Sequence, residues 1–306
     1  MLGRVIRARA LAVLALALVL AACTAPPTPA VDVAVPGFAT EVDAYGAESP
    51  RVAIVVLHGG GGTKEGMPHQ VALSAEPVPT AASINRTWLD AERVVVAFPQ
   101  GTRRPGVTTG GGSWNGFGTS ASDDVGMLVA LASELRMRFG VERVYLAGHS
   151  AGGFMTNRVW CEANGAFDAY LALSGPPAVR YATGCSPSAA KPYLAIIGSA
   201  DDAVIAGAPW DAAVWSLFGA TGSSARQLVG EFETLRLRAA ALCGETVTVP
   251  DGVASGNATV WTACDGRLRL VRAEGAGHDL GGVASAVDPA DRMALLNALL
   301  RFAEAP

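Results

Sequence analysis

VYLAGHSAGGFMTNR, residues 144–158, decides the fold. Four apolar residues lead into Gly148-His149-Ser150-Ala151-Gly152, and a helix-like stretch follows. A serine between two glycines at a strand-to-helix junction answers a steric demand. So tight a turn brings strand and helix backbones together and leaves no room for a Cβ at position 148 or 152. The same turn lifts the Ser150 hydroxyl clear of the strand and turns the Ala151 N–H toward whatever sits on that hydroxyl.

A serine hydroxyl is a weak nucleophile until a base takes its proton. The chain has four histidines: His58, His69, His149 and His278. His149 adjoins the serine and diverges from it in a tight turn, while His58 and His69 belong to an early loop and the polar stretch after it. His278 stands in EGAGHDLGG, directly after the apolar run RLRLVRA, and is the candidate base. An imidazole that acts on serine needs a carboxylate to fix its tautomer and stabilise its charged form. YLAIIGSADDAVI supplies one at Asp201 or Asp202, and adjacency alone does not choose between them. A fourth requirement is a pair of backbone N–H groups for a developing oxyanion. His58 followed by Gly59 to Gly62 offers one at Gly60, with Gly61 the alternative, and Ala151 offers the other.

The surrounding chain gives these residues a frame. RVAIVVL (51–57), RVVVAF (93–98), RVYLAG (143–148), AYLAL (169–173) and YLAII (193–197) are short runs of β-formers, suited to strands buried on both faces of a parallel sheet. Residues 122–139, 225–242 and 288–305 carry apolar residues at helical spacing, and ATVWTA and RLRLVRA add two late strands. Alternating strands and helices predict an α/β fold with crossover helices in one domain. On such a sheet, chemistry collects at the C-terminal strand ends, where 148–152 sits.

Composition narrows the classes. Half of the 306 residues are hydrophobic and 16% are charged, enough for a sizeable core. A formal charge of −4, no repeat and no Gly-Lys-Ser/Thr phosphate loop weigh against nucleic-acid and nucleotide binding. Arg4, Arg7 and Arg9 precede LAVLALALVLAA and then Leu20-Ala21-Ala22-Cys23, the build of a signal peptide (1–22) ending in a lipobox with Cys23 as the acylated residue. Residues 23–36 are Pro/Ala-rich and read as a tether, leaving 37–306 as the catalytic domain. Removing 1–22 leaves 20 basic against 27 acidic residues, so acyl chains rather than charge would hold the chain at a membrane. Export makes Cys161, Cys185, Cys243 and Cys264 readable as disulfides, and proximity favours 161 with 185 and 243 with 264. No Cys-x-x-Cys or histidine cluster supports zinc, and no cofactor is expected.

Gly-x-Ser-x-Gly between strand and helix resembles the nucleophile elbow of α/β-hydrolases. LHGGGG, FPQGT, SWNG, DDVGMLVAL, VYLAGHSAGGFMTNRVWCE, GSADDAVI and EGAGH occur in the order seen in polyhydroxybutyrate depolymerase-like and feruloyl esterase-like serine esterases. The resemblance spans about residues 37–304. It implies an α/β-hydrolase fold, a Ser150-Asp201-His278 triad acting on carboxylic esters, and the two cysteine pairings above. Asp279-Leu280-Gly281-Gly282 and residues 206–224 depart from the family pattern where the acyl or alcohol part would bind. Trp114, Trp210 and Trp215 are candidates for lining that pocket, and packing would account for each equally well. Asp123 and Asp124 read as a helix cap or a support to the elbow. A serine peptidase or acyltransferase would use the same triad, and a binding lipoprotein on a dead hydrolase fold would have lost part of it.

Overall fold

The computed structural model describes residues 30–102, 111–182, 184–185, 191–201, 215–217 and 227–305. Residues 1–29 with Cys23, and Asp202 and Trp210, lie outside the described residues, as does the side chain of Trp215. The strands are β1 (Val31–Asp32), β2 (Val42–Gly46), β3 (Val52–Leu57), β4 (Val94–Pro99), β5 (Arg143–His149), β6 (Ala169–Leu173), β7 (Tyr193–Gly198), β8 (Trp215–Leu217), β9 (Gln227–Val229), β10 (Val253–Ser255), β11 (Ala258–Ala263) and β12 (Leu268–Ala273). The helices are α1 (Met67–Gln70), α2 (Arg86–Glu92), α3 (Asp124–Phe139), α4 (Ala151–Glu162), α5 (Val179–Ala182), α6 (Glu231–Cys243), α7 (Leu280–Val287) and α8 (Ala294–Glu304).

Ten strands form one sheet in the order β1-β2-β4-β3-β5-β6-β7-β12-β11-β10, and β8 pairs with β9 apart from it. The six central strands from β4 to β12 run parallel. At one edge β1 and β2 return antiparallel, and at the other β11 and β10 do so. Every residue of β3, β4, β6 and β7 is buried, as continuous apolar runs require when helices cover both faces.

Alternation along each strand divides the core in two. Ala53, Val55 and Leu57 join Leu146, Leu128, Trp160 and Trp261 on the face covered by α3, α4 and α6. Ile54 and Val56 join Tyr145, Leu171, Leu296 and Phe302 on the face covered by α2, α7 and α8. Helix α3 starts where expected, with the Asp123 carboxylate capping Gly126 N–H at 2.9 Å, and stops at Gly140 in the left-handed region at φ 64°.

Two segments differ from the sequence reading. Residues expected in the tether are part of the fold: Val33 and Val35 are buried among the core side chains, and β1 pairs with β2. The alternate valines of VDVAV give one apolar face, which a composition-based reading of Pro and Ala overlooks. The stretch 225–242 is not one helix: β9 comes first, and α6 starts only after Gly230. Cys161 and Cys185 are joined with Cα atoms 5.3 Å apart, and Cys243 and Cys264 with Cα atoms 5.6 Å apart. The first fastens the end of the helix that follows Ser150, and the second ties α6 to the end of β11.

Candidate active site

The site lies at the C-terminal ends of β3, β5, β7 and β12. Ser150 joins β5 to α4 with φ 52° and ψ −114°, a backbone conformation unfavourable for any residue with a side chain. Packing around the turn holds it there. A Cβ on Gly148 would strike the Gly152 carbonyl, one on Gly152 would sit 2.5 Å from the Leu57 carbonyl oxygen, and one on Gly153 would sit 2.7 Å from the Gly175 Cα. Ser150 N–H donates to the Leu173 carbonyl at 2.9 Å, which anchors the turn to β6.

His278 and Asp201 meet from two other strand ends. His278 Nδ1 lies 2.9 Å from each carboxylate oxygen of Asp201, and since a carboxylate only accepts, Nδ1 carries the proton and Nε2 is left as a base. Asp201 is 1% exposed, while the His278 side chain keeps 31% of its surface. The two loops are stitched together. Ser199 N–H donates to Ala273 O and Ala200 N–H to Ala276 O, both at 2.9 Å, and Gly275 N–H donates to the Ser199 hydroxyl at 2.8 Å. A Cβ on Gly198 would collide with the carbonyls of Ala276 and Gly277 where the loops cross. So Asp201 pairs with His278, and Asp202 lies outside the described residues.

The loop after β3 separates the two candidate oxyanion donors. Gly61 N–H is taken by the Gly112 carbonyl at 2.8 Å. Gly60 N–H has no acceptor among the described residues, and Gly60 shares a cavity of about 690 Å³ with Ser150 and Ala151. His58 sets this geometry. Its Nε2 accepts Gly101 N–H at 2.9 Å, so the proton sits on Nδ1, which donates to the Gly59 carbonyl at 2.7 Å. In a trans peptide the Gly60 N–H points opposite to that carbonyl. Burial lowers the His58 pKa, which favours the neutral ring that this role needs. Sequence reasoning gave His58 no task; a histidine at the end of a fully buried strand was the available signal.

Trp114 is nearly buried and donates its indole N–H to the His58 carbonyl at 2.9 Å, so it is a wall of the cavity and a brace for the loop. Phe117 and Phe154 line the same cavity together with Ser113, Thr119 and Ser120. Asp123 caps α3, while Asp124 accepts Asn115 N–H at 2.6 Å and the Thr102 hydroxyl at 3.2 Å, tying the cavity wall to the start of that helix. His69 stays apart from the triad candidates, with Nδ1 3.3 Å from the Ser74 carbonyl oxygen.

No family model matches the chain, and no curated protein matches it. Among solved structures it is similar to an α/β serine hydrolase without lid from Xanthomonas campestris, at 17% identity and TM-score 0.50 over 92% of this chain and 99% of that one. It is also similar to the acetyl xylan esterase from Aspergillus awamori, at 15% identity and TM-score 0.52 over 82% and 93%. The chain has an α/β-hydrolase fold. Identity this low carries the fold and no more.

His149 adds an acid-sensitive element. Burial lowers its pKa from 6.5 to about 4, mainly by desolvation and against the bond to the His278 carbonyl. The folded protein therefore binds this proton well below the pH at which an unfolded chain does. The neutral ring contributes fully to stability above about pH 6.5, and that contribution is lost as the pH falls toward 4, up to about 3 kcal/mol. Urea midpoints at pH 7 and pH 4.5 check this: His149→Gln should lose distinctly less stability across that interval than the parent chain.

Proposed function

We propose that the chain is an exported, membrane-anchored serine esterase that cleaves carboxylic esters through an acyl-enzyme. The observation that carries this reading is one cavity lined by Ser150, Gly60 and Ala151, the Gly60 N–H being free of an acceptor among the described residues, with an Asp201-bonded imidazole on the loop that follows β12. In this mechanism His278 Nε2 takes the Ser150 proton as Oγ attacks the ester carbonyl. The tetrahedral oxyanion is met by Gly60 and Ala151 N–H. Asp201 orients and stabilises the imidazolium, which then protonates the leaving alcohol. Water, deprotonated by the same nitrogen, releases the acid and restores the serine.

Ser150→Ala and His278→Ala should each lower kcat/KM for p-nitrophenyl acetate by about 10⁴-fold or more, with Asp201→Asn also costly and the melting temperature of each variant close to that of the parent. Retained turnover in Ser150→Ala would overturn the nucleophile. Peptide anilides run in parallel separate an esterase from a peptidase.

An aromatic wall with hydroxyls at its edge supports small acyl groups, short-chain, hydroxyacyl or hydroxycinnamoyl, over long lipid chains. Across p-nitrophenyl esters from acetate to palmitate, efficiency should fall as the acyl chain grows from about two to about eight carbons, because an open cleft adds little apolar burial per methylene. Methyl ferulate and hydroxybutyrate oligomers belong in the same series.

The lipobox-like Leu20-Ala21-Ala22-Cys23 supports anchoring through acylated Cys23. In a detergent phase separation of the expressed chain, the parent should enter the detergent phase and Cys23→Ser should not. A mature chain free in the medium with an unmodified N-terminus would overturn the anchor.

A further inference from the structure

His149 precedes Ser150 in the turn, yet its side chain reaches across the sheet end to the other half of the site. Its Nε2 lies 2.9 Å from the carbonyl oxygen of His278. A carbonyl only accepts, so Nε2 carries the proton and donates it. The two imidazole rings lie with centroids 4.9 Å apart and planes tilted by 39°. His149 is nearly buried, and its Nδ1 has no hydrogen-bond partner among the described residues. A buried polar ring with one nitrogen unsatisfied is costly, and a phenylalanine or leucine there would avoid that cost.

We infer that His149 is a positioning residue, clamping the His278 backbone and so fixing where the imidazole sits relative to Ser150. This rests on the Ser150-His278-Asp201 reading above. The His278 segment runs from the end of β12 into α7, and three of its contacts bear on the placement of the imidazole. The Asp201 carboxylate holds its ring, the bonds from Ser199 and Ala200 hold the residues before it, and His149 holds its own carbonyl. Among the described residues, the last is the hydrogen bond that connects His278 directly to the segment carrying the nucleophile. The side chain of His149 and the backbone of Ser150 are covalent neighbours, so the clamp fixes base and nucleophile in one frame. Misplacement by about an ångström at this contact costs on the order of 100-fold in rate.

The clamp must be neutral to suit catalysis. A charged His149 beside an imidazolium at ring-stacking distance would oppose the proton transfer from Ser150. A neutral ring instead presents its π face to the cation. Glutamine reproduces the donor at similar reach, whereas leucine and methionine fill the space without one.

The experiment compares His149→Leu, His149→Met and His149→Gln in the full chain. Two readouts are taken: kcat and KM for p-nitrophenyl acetate, and the low-field proton resonance of the His278 Nδ1–H shared with Asp201. Leucine and methionine should lower kcat by about 10- to 100-fold with KM within about twofold, and should broaden the low-field resonance. Glutamine should restore kcat to within about fivefold of the parent and keep the resonance sharp. A folded leucine or methionine variant with parental kcat and a sharp resonance overturns the clamp, as does a glutamine variant no better than the apolar ones. Should the apolar variants fail to fold, the glutamine variant alone decides by the same limits. A parent that turns over no ester but shows the resonance, lost in the leucine variant and kept in the glutamine one, refutes the esterase reading and leaves the clamp standing.

Discussion

The structure depends on how closely three backbones approach at the turn around Ser150. Strand β3, strand β5 and helix α4 meet there at distances that exclude a Cβ on Gly148 and Gly152. That contact holds Ser150 at a positive φ that a residue with a side chain disfavours. Because the strain is distributed over a fully buried sheet centre, the turn has no inexpensive way to relax. The parallel sheet is therefore more than a platform. Its central strands must pack densely on both faces for the turn to keep its shape, and β3, β4, β6 and β7 bury every residue.

Around this turn, histidines serve as braces through their tautomers. His58 accepts at Nε2 and donates at Nδ1, which aims the Gly59-Gly60 peptide. His149 donates at Nε2, which holds the His278 carbonyl. His278 donates at Nδ1 to Asp201 and keeps Nε2 open. In each ring one nitrogen's partner dictates the state of the other. Burial disfavours the charged form of both His58 and His149, pushing the pKa of His149 down to about 4.

Much of this was legible in the sequence because steric demands leave local traces. Gly-x-Ser-x-Gly after an apolar run is such a trace, and five of the parallel strands begin or end within about two residues of the runs that foretold them. The Asp201–His278 pairing was less legible. Two adjacent aspartates satisfy the same local pattern, and only the crossing of two loops at Gly198 brings one of them to the imidazole. The edge strand β1 was hidden by its setting, since a two-residue strand after a Pro/Ala stretch offers almost no periodicity, and β9 was hidden because Gly230 alone divides it from a helix. For His58 the sequence signalled only a histidine ending a buried strand, and the bonds that His58 and His149 make were not legible. Both bonds run to backbone carbonyls, and a carbonyl leaves no signature in residue type.

The cavity wall has a different logic from the turn. Asn115 accepts the Thr119 and Ser120 N–H groups and donates to the Ser120 and Ser122 carbonyls, so the loop carrying Phe117 closes on its own polar hub. Asp124 fastens that hub to the first turn of α3 through Asn115 N–H. Hydrogen bonds within the loop thus hold its turn, while Phe117 packs on Phe154 of α4 with ring centroids 5.3 Å apart and Arg158 of that helix donates to the Asn115 carbonyl at 2.7 Å. Thr119 and Ser120 line the cavity beside Ser150 and take no part in the glycine contacts or the His278 supports, so a change there alters chiefly what fits beside Ser150. The turn and the cavity wall are thus held by largely different interactions, one set dense and strained, the other mostly within the loop. The two sets meet at Phe117, through Phe154, and at Trp114. Its ring lines the cavity and its indole N–H braces the His58 carbonyl at the end of β3, so this is the wall residue least free to vary.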